Sequence, residues 1–318
     1  MNNVSKFKHK KVFIAGHRGL VGSAICRELL AHGFTNIITR NHNVLDLSDS
    51  HSVEKFFDTE RPEWVFDAAA KVGGIHANAT YPVEFLLQNL KIQNNIIECA
   101  YKFAVEKLMF LGSSCIFPRE APQPLKEEYL LSSALEKTNE AYALAKIAGI
   151  KLCHYYNKEY GTNFLAAMPC NLYGINDNYH PTNSHVLPAL IRRIHLAKIA
   201  DDKEVVIWGS GSPKREFMYS DDLANALVFL MLNYDAAEIG EFINIGTGEE
   251  ITINDLVHLI KSVIGFRGEI VFDHSKPDGT PRKILDISRL NSLGFKTKIP
   301  LEQGVPFAYQ DFLKNHQM

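Results

Sequence analysis

The 318-residue sequence has no excess of either charge: 34 Lys and Arg against 36 Asp and Glu leave a formal net charge of -2. That balance excludes the broad basic field needed to hold nucleic acid or an anionic membrane, so an anionic ligand must be held by local groups. Cysteine is sparse. The five present (Cys26, Cys99, Cys115, Cys153, Cys170) are odd in number and include no CxxC pair, which argues against a disulfide framework or a metal site and points to a reducing cytoplasm. The longest apolar run, 226–232, falls far short of the roughly 20 residues that cross a bilayer. The basic start MNNVSKFKHKK carries no apolar segment of signal-peptide length, so neither a membrane span nor secretion is expected. No repeat or low-complexity tract interrupts the chain. What is present is a hydrophobic fraction of 46%, enough for a large core in two domains or in one with an appended lobe.

Short β-rich runs at 11–15, 36–39, 64–69 and 107–111 alternate with helical patterns. They are short and continuously apolar, as strands are when both sheet faces are covered. The expected fold is α/β, a doubly wound parallel sheet of Rossmann type. Beyond 169 the pattern loosens into Asn and Pro clusters, then gives helix signals at 186–198, 221–233, 254–264 and 306–314 and strand signals at 241–245 and 269–272. The expected division is a first domain over 1–170, rejoined by part of 217–246, and a smaller C-terminal α/β lobe over 171–318.

The first strand runs into Gly16, His17, Arg18, Gly19, Leu20, Val21 and Gly22, followed by a helical pattern over 23–31. Glycines at this spacing permit a tight turn, close backbone approach to a pyrophosphate, and close packing of helix on strand. The following helix N-terminus supplies the anion site. Position after the first strand separates this turn from an ordinary strand-to-helix connection and marks the first domain as dinucleotide-binding. The end of the second strand, Ile38 to Asn43, lacks the acid that would take the ribose hydroxyls. Arg40 with Arg18 is instead suited to a 2′-phosphate, which favours NADP(H). The plainer alternative is that Arg40 and His42 are solvated surface residues. Asp46 and Leu47, just beyond, are placed to bracket the adenine.

Tyr142 and Lys146 stand four apart in a helical stretch and so share a face. An ammonium beside a phenol lowers its pKa, and the phenol then exchanges a proton with a carbonyl or alcohol. The pair is common by chance; Leu111-Gly112-Ser113-Ser114 at the end of an apolar strand some residues earlier gives it weight. Ser113, Tyr142 and Lys146 in this order resemble the short-chain dehydrogenase triad.

The strings AGHRGLVGSAI, AAAKVGGI, LGSSCIFP, TNEAYALAKIAGIK, NLYG, NSHVLPALIRR, WGSGSPKREF and KPDGTPRK, in order across nearly the whole chain, resemble those of the GDP-L-fucose synthases, within the extended short-chain dehydrogenases. The resemblance implies NADPH-dependent inversion of C3 and C5 of GDP-4-keto-6-deoxy-D-mannose, followed by reduction at C4. It implies catalytic roles for Ser113, Cys115, Tyr142, Lys146 and His185. It places Leu111, Gly112, Lys146, Pro169, Asn171, Leu172 and His185 at the cofactor, and Arg193, Trp208, Arg215 and Asp278 at the GDP-sugar. A homodimer through helices at 83–103 and 140–160 is implied too. Without the resemblance, Cys115 would be a small buried hydrophobe, His185 a helix-terminal residue, Arg193 an exposed helix charge and Trp208 a core aromatic. The chain departs from the family in having Phe117 for the usual Tyr, Cys170 for a frequent Thr, and His42 for a frequent Arg. A 4,6-dehydratase would need an acid pair where the chain has Ser114 and Cys115. A related epimerase-reductase acting on a 3,6-dideoxy or heptose 4-ketosugar remains open, as does a non-catalytic dinucleotide sensor.

Overall fold

The computed structural model describes residues 4–276 and 278–315. Residues 1–3, at the head of the basic start, Pro277 of the KPDGTPRK string and residues 316–318 lie outside the described residues. The chain opens with β1 (Val12–Ala15), β2 (Ile37–Ile38), β3 (Trp64–Asp67), β4 (Lys107–Leu111) and β5 (Phe164–Pro169). It continues through β6 (Asn171–Tyr173), β7 (Glu204–Trp208), β8 (Lys214–Arg215), β9 (Phe217–Tyr219) and β10 (Ile243–Ile245) to β11 (Ile251–Thr252), β12 (Glu269–Asp273) and β13 (Arg282–Lys283).

Six strands form one parallel sheet in the order β10-β5-β4-β3-β1-β2. β1, β3, β4 and β5 are buried along their whole length, so each apolar side chain contributes about 1.5–3 kcal/mol of burial on whichever face it points to. The registers Ala15↔Asp67, Asp67↔Phe110 and Leu111↔Ala167 bring the C-terminal ends of these strands nearly level. The glycine turn, Asp67, Ser113 and Pro169 therefore open onto one edge, where open α/β sheets hold ligands. The second strand keeps only two of the four residues its sequence implies. Helix Ser220–Asn233 packs on helix Leu20–Ala31, with Arg27 ion-paired to Asp221 and Asn225 donating to Glu28.

The remaining strands form small sheets: β7 pairs with β12, β6 with β9, and β8 lies between β11 and β13. Helices Val186–Ile199, Ile253–Ile264 and Leu301–Asn315 bury a second core that includes Ile191, Ile194, Leu256, Ile260, Val305 and Phe312. Thr252 caps the middle helix by accepting from Asp255 N at 3.0 Å. The last helix begins five residues before Pro306, the residue that reads as its start. Pro306 falls inside the helix, where it has no N–H to donate, while Gly304 and Val305 ahead of it are already buried in this core.

Candidate active site

The glycine turn fits a pyrophosphate. Gly16 has φ +77, and a Cβ there would stand 2.7 Å from the Ala68 carbonyl oxygen; a Cβ at Gly22 would stand 2.2 Å from the Gly16 carbonyl oxygen. The helix starting at Leu20 and Val21 has Gly19 as its N-cap and no side-chain cap, which leaves its first amides to a ligand. The His17 ring is tied to Asn41, and Arg18 is exposed. Arg40 is already engaged: it donates to the Thr39 carbonyl at 2.8 Å, stacks over Phe56 and pairs with Glu60. An acid is therefore present near this end of the sheet after all, delivered by the helix Ser50–Glu60 rather than by the strand end. His42 is exposed, and Asp46 is held ionised mainly by the Ser48 hydroxyl and N–H, at 2.7 and 2.9 Å. Leu47 packs against the core and its carbonyl accepts from Asn95.

At the ends of β4 and β5 the structure gathers Leu111, Gly112, Ser113, Cys115, Tyr142, Lys146, Pro169 and Asn171. Ser113 accepts from Cys115 N at 3.4 Å and so starts the short turn Ser114–Ile116 that buries the thiol. Lys146, 2% exposed, donates to the Leu111 carbonyl at 2.8 Å, and its ammonium lies 6.0 Å from the Tyr142 ring centre. The expected lowering of the phenol by Lys146 is absent in this arrangement. Burial, and then the neighbouring Cys115, push the Tyr142 pKa up instead. A protonated phenol is what donation to a carbonyl oxygen requires. Burial also lowers Lys146, against the pull of Asp67. Asn171 donates to the Glu216 carbonyl at 2.8 Å, and Leu172 packs on the main core.

Burial raises the Cys115 thiol, opposed by Lys283, the Ser113 hydroxyl and Lys146. His185 is the N-cap of helix Val186–Ile199, and its side chain makes no cap hydrogen bond. The ring is reachable by solvent, yet protein packed around it, and then Lys283, lower its pKa. Gly74 N donates to the Asn183 carbonyl at 3.1 Å, which ties the AAAKVGGI segment to the loop that presents His185.

On the other wall, Arg193 donates to the Val206 carbonyl at 3.0 Å, and Trp208 is 68% exposed, not a core aromatic, with the Lys276 ammonium 5.6 Å from its ring centre. Arg215 is half-buried and donates to the Lys214 carbonyl at 2.7 Å. Asp278 spends both oxygens on Ser210, accepting from its N–H at 2.8 Å and its hydroxyl at 2.7 Å, and thereby fixes the loop after Trp208. Phe117 and Cys170 are buried, Phe117 against Phe242 at 6.2 Å between ring centres.

Two residues of the site stand in no catalytic pattern of the sequence. Lys283 ends the KPDGTPRK string, and its charge lowers Cys115, His185 and Cys170, while burial, and among its neighbours Arg215, lower Lys283 itself. Asp67, fully buried, faces the Lys146 charge and is pushed up to about 6 by burial. A carboxylate ending an otherwise apolar strand was the available signal for it.

A parallel sheet whose strand ends carry a glycine phosphate turn and a Ser-Tyr-Lys set defines a dinucleotide enzyme of the short-chain dehydrogenase class. The chain belongs to the NAD dependent epimerase/dehydratase family, whose model matches residues 12–246, and within it to the GDP-L-fucose synthase group. It is 55% identical over 309 residues to a probable GDP-L-fucose synthase 1 of Oryza sativa subsp. japonica, covering 97% of this chain and 93% of that protein. It is 52% identical to the GDP-L-fucose synthase of Escherichia coli (strain K12), covering 96% and 97%. Among solved structures, a GDP-mannoheptose C4 reductase from Campylobacter jejuni with NADP bound matches with a TM-score of 0.89 at 39% identity, covering 96% of this chain and 98% of that one.

Proposed function

We propose that this protein uses NADPH to convert GDP-4-keto-6-deoxy-D-mannose into GDP-L-fucose, first inverting C3 and C5 and then reducing C4. The observation that carries this reading is the convergence of a buried thiol, an imidazole and the Lys283 ammonium beside the Ser113–Tyr142–Lys146 set. Reduction alone would not need the first two. Both C3 and C5 flank the C4 ketone, so their protons are acid enough for removal through an enolate whose oxygen must be stabilised. Cys115 takes the proton, His185 returns one to the opposite face, and Ser113 and Tyr142 hold the C4 oxygen throughout. Tyr142 then delivers its proton to that oxygen, and Lys146, bonded to the Leu111 carbonyl, keeps the helix face in register with β4. When bound along Gly16–Gly22 and the ends of β4 and β5, NADPH supplies the hydride. The GDP half lies along Arg193, Trp208 and Arg215, in the lobe over 171–318, while residues 1–170 with part of 217–246 hold the cofactor.

The helices Pro82–Lys102 and Glu140–Tyr160 pack on each other and leave Val83, Leu87, Tyr101, Leu144, Tyr155 and Tyr160 exposed. We assign that apolar face to a homodimer in the cytoplasm, where the five free cysteines remain reduced. Light scattering at low concentration is expected to return twice the chain mass, and a fully active monomer would remove the assignment. The function itself is tested by incubating the protein with NADPH and GDP-4-keto-6-deoxymannose and identifying the sugar by NMR. GDP-L-fucose is the expected product. Turnover of only a heptose or 3,6-dideoxy 4-ketosugar would transfer the assignment to a sister epimerase-reductase, and no turnover with any of them would leave a dinucleotide sensor.

A further inference from the structure

Glu216 follows Arg215 at the bend between β8 and β9, is 1% exposed, and has no part in the chemistry above. Its side-chain partners are backbone N–H groups from two separate segments, with the Thr247 hydroxyl donating to Oε1 at 3.5 Å. Oε1 accepts from Thr247 N at 2.7 Å and Gly248 N at 2.8 Å, just past β10. Oε2 accepts from Leu285 N at 2.9 Å, two residues past Lys283. Space for the carboxylate is cleared by Gly246, where a Cβ would stand 2.2 Å from Oε1. Burying a carboxylate is costly unless each oxygen is bonded, so a site built this closely around one has a use for it.

The use lies in what the clamped segments carry. β8 and β13 are only two residues long and pair through Lys283↔Arg215, so their own ladder holds them weakly. Yet these strands present two long cations to the cleft, Arg215 on the side assigned to the GDP half and Lys283 beside Cys115 and His185.

We propose that Glu216 is a positioning residue for the substrate: each carboxylate oxygen pins one returning segment, and together they fix where Arg215 and Lys283 enter the cleft. The inference rests on the GDP-sugar reading of that cleft. Glu216→Gln sharpens it, because a carboxamide keeps the size and can accept from Thr247 and Gly248 through one oxygen, but turns an N–H donor toward Leu285 N. The segment carrying Lys283 is released, and because Lys283 pairs with Arg215 across β13 and β8 the hold on Arg215 loosens with it.

The experiment measures KM and kcat for the 4-ketosugar, and binding of GDP and of NADPH by titration, in wild type, Glu216→Gln and Glu216→Asp. In Glu216→Gln, the KM for the sugar and the Kd for GDP are expected to rise about tenfold, the effect of losing one charge-assisted hydrogen bond. The Kd for NADPH is expected to stay within about twofold, because the glycine turn lies across the sheet edge. Glu216→Asp, which keeps the charge, is expected to recover part of the loss. Unchanged GDP affinity in Glu216→Gln would overturn the proposal. So would equal losses in GDP and NADPH binding alongside a lowered Tm, since that pattern means general structural support. Wild-type protein that binds GDP tightly without turning over the ketosugar would sink the functional reading instead, and the GDP titration would still decide the role of Glu216.

Discussion

In the sheet half, β1, β3, β4 and β5 are buried from end to end, whereas in the lobe β7 alternates buried and exposed residues and no residue of β12 is fully buried. The difference extends to how each half meets its ligand. The sheet half offers backbone: a glycine turn, a helix N-terminus and strand ends brought level by register. The lobe offers side chains on short strands, and needs Glu216 and Asp278 to hold those strands and loops still. A rigid sheet positions its groups by packing and by short hydrogen bonds to its strand ends, such as Lys146 to the Leu111 carbonyl, while a small lobe with thin ladders recruits carboxylates for the same purpose.

The sharpest way to break this comparison is at the catalytic edge of the sheet. Tyr142→Phe is expected to lower C4 reduction by about 10⁴-fold, the upper range for a lost proton donor. Deuterium uptake at C3 and C5 from heavy water, followed by NMR, is expected to persist, because Cys115 and His185 remain. Loss of uptake as well would mean that Ser113 alone cannot hold the enolate oxygen.

Next in size are the two proton carriers. Cys115→Ser is expected to slow epimerisation by about 10³-fold, since a hydroxyl is far harder to deprotonate than a thiol. Wild-type epimerisation rates in the variant would return Cys115 to a packing role. In the native enzyme the Cys115 pKa is raised from 9.0 and that of His185 is lowered from 6.5, so the working pair of thiolate and imidazolium is a minority form. Between the two pKa values a loss of imidazolium with rising pH is matched by a gain of thiolate, and their product stays constant. The epimerase kcat/KM is therefore expected to be flat across neutral pH, to fall below the histidine value and to fall above the cysteine value. Lys283→Met removes a charge that lowers both groups, so both limbs are expected to move to higher pH. Limbs that stay in place would remove Lys283 from the electrostatics of the pair.

A smaller effect probes the lobe alone. Trp208→Ala is expected to raise the KM for the GDP-sugar about tenfold, the loss of one stacking face, with NADPH binding unchanged. A matching loss in NADPH affinity would show that the two halves are not independent binding surfaces.

The smallest effect is at the ribose end. Because Glu60 already neutralises part of Arg40, Arg40→Ala is expected to lower the preference for NADPH over NADH only about threefold, and Glu60→Gln to raise it by a similar factor. Steady-state kcat/KM with each cofactor reads both. A hundredfold loss in Arg40→Ala would mean that the ion pair opens fully for the 2′-phosphate.

The same contrast governs what the sequence revealed. The sheet was legible because its strands are continuous apolar runs and its turn has a fixed spacing, and Gly16, Ser113, Tyr142 and Lys146 all follow from position along such runs. β2 shrank to two residues because its flanks, Asn36 and Thr39, do not bury. Lys283 stood in plain view but gave no signal, since its importance comes from a fold that brings residues 115, 185 and 283 to one cleft. Glu60 gives no sequence signal for the same reason: it lies well past the strand end, and the fold delivers it to Arg40 from the next helix. Asp278, which resemblance puts at the substrate, also latches the loop after Trp208 through Ser210, a role no motif shows.

The last strand of the sheet has a consequence for cutting the molecule. β10 comes from residues 243–245, after the chain has passed through the lobe, and it seals one edge of β5, all six residues of which are buried. A fragment ending near 170 would carry every residue of the glycine turn and the Ser-Tyr-Lys set. It would also present β5 as a bare apolar edge with unpaired N–H and C=O groups, a template for strand-to-strand aggregation. The two halves share one continuous fold and do not separate into modules, so transplanting the lobe onto another dinucleotide sheet requires carrying β10 and its helix back with it.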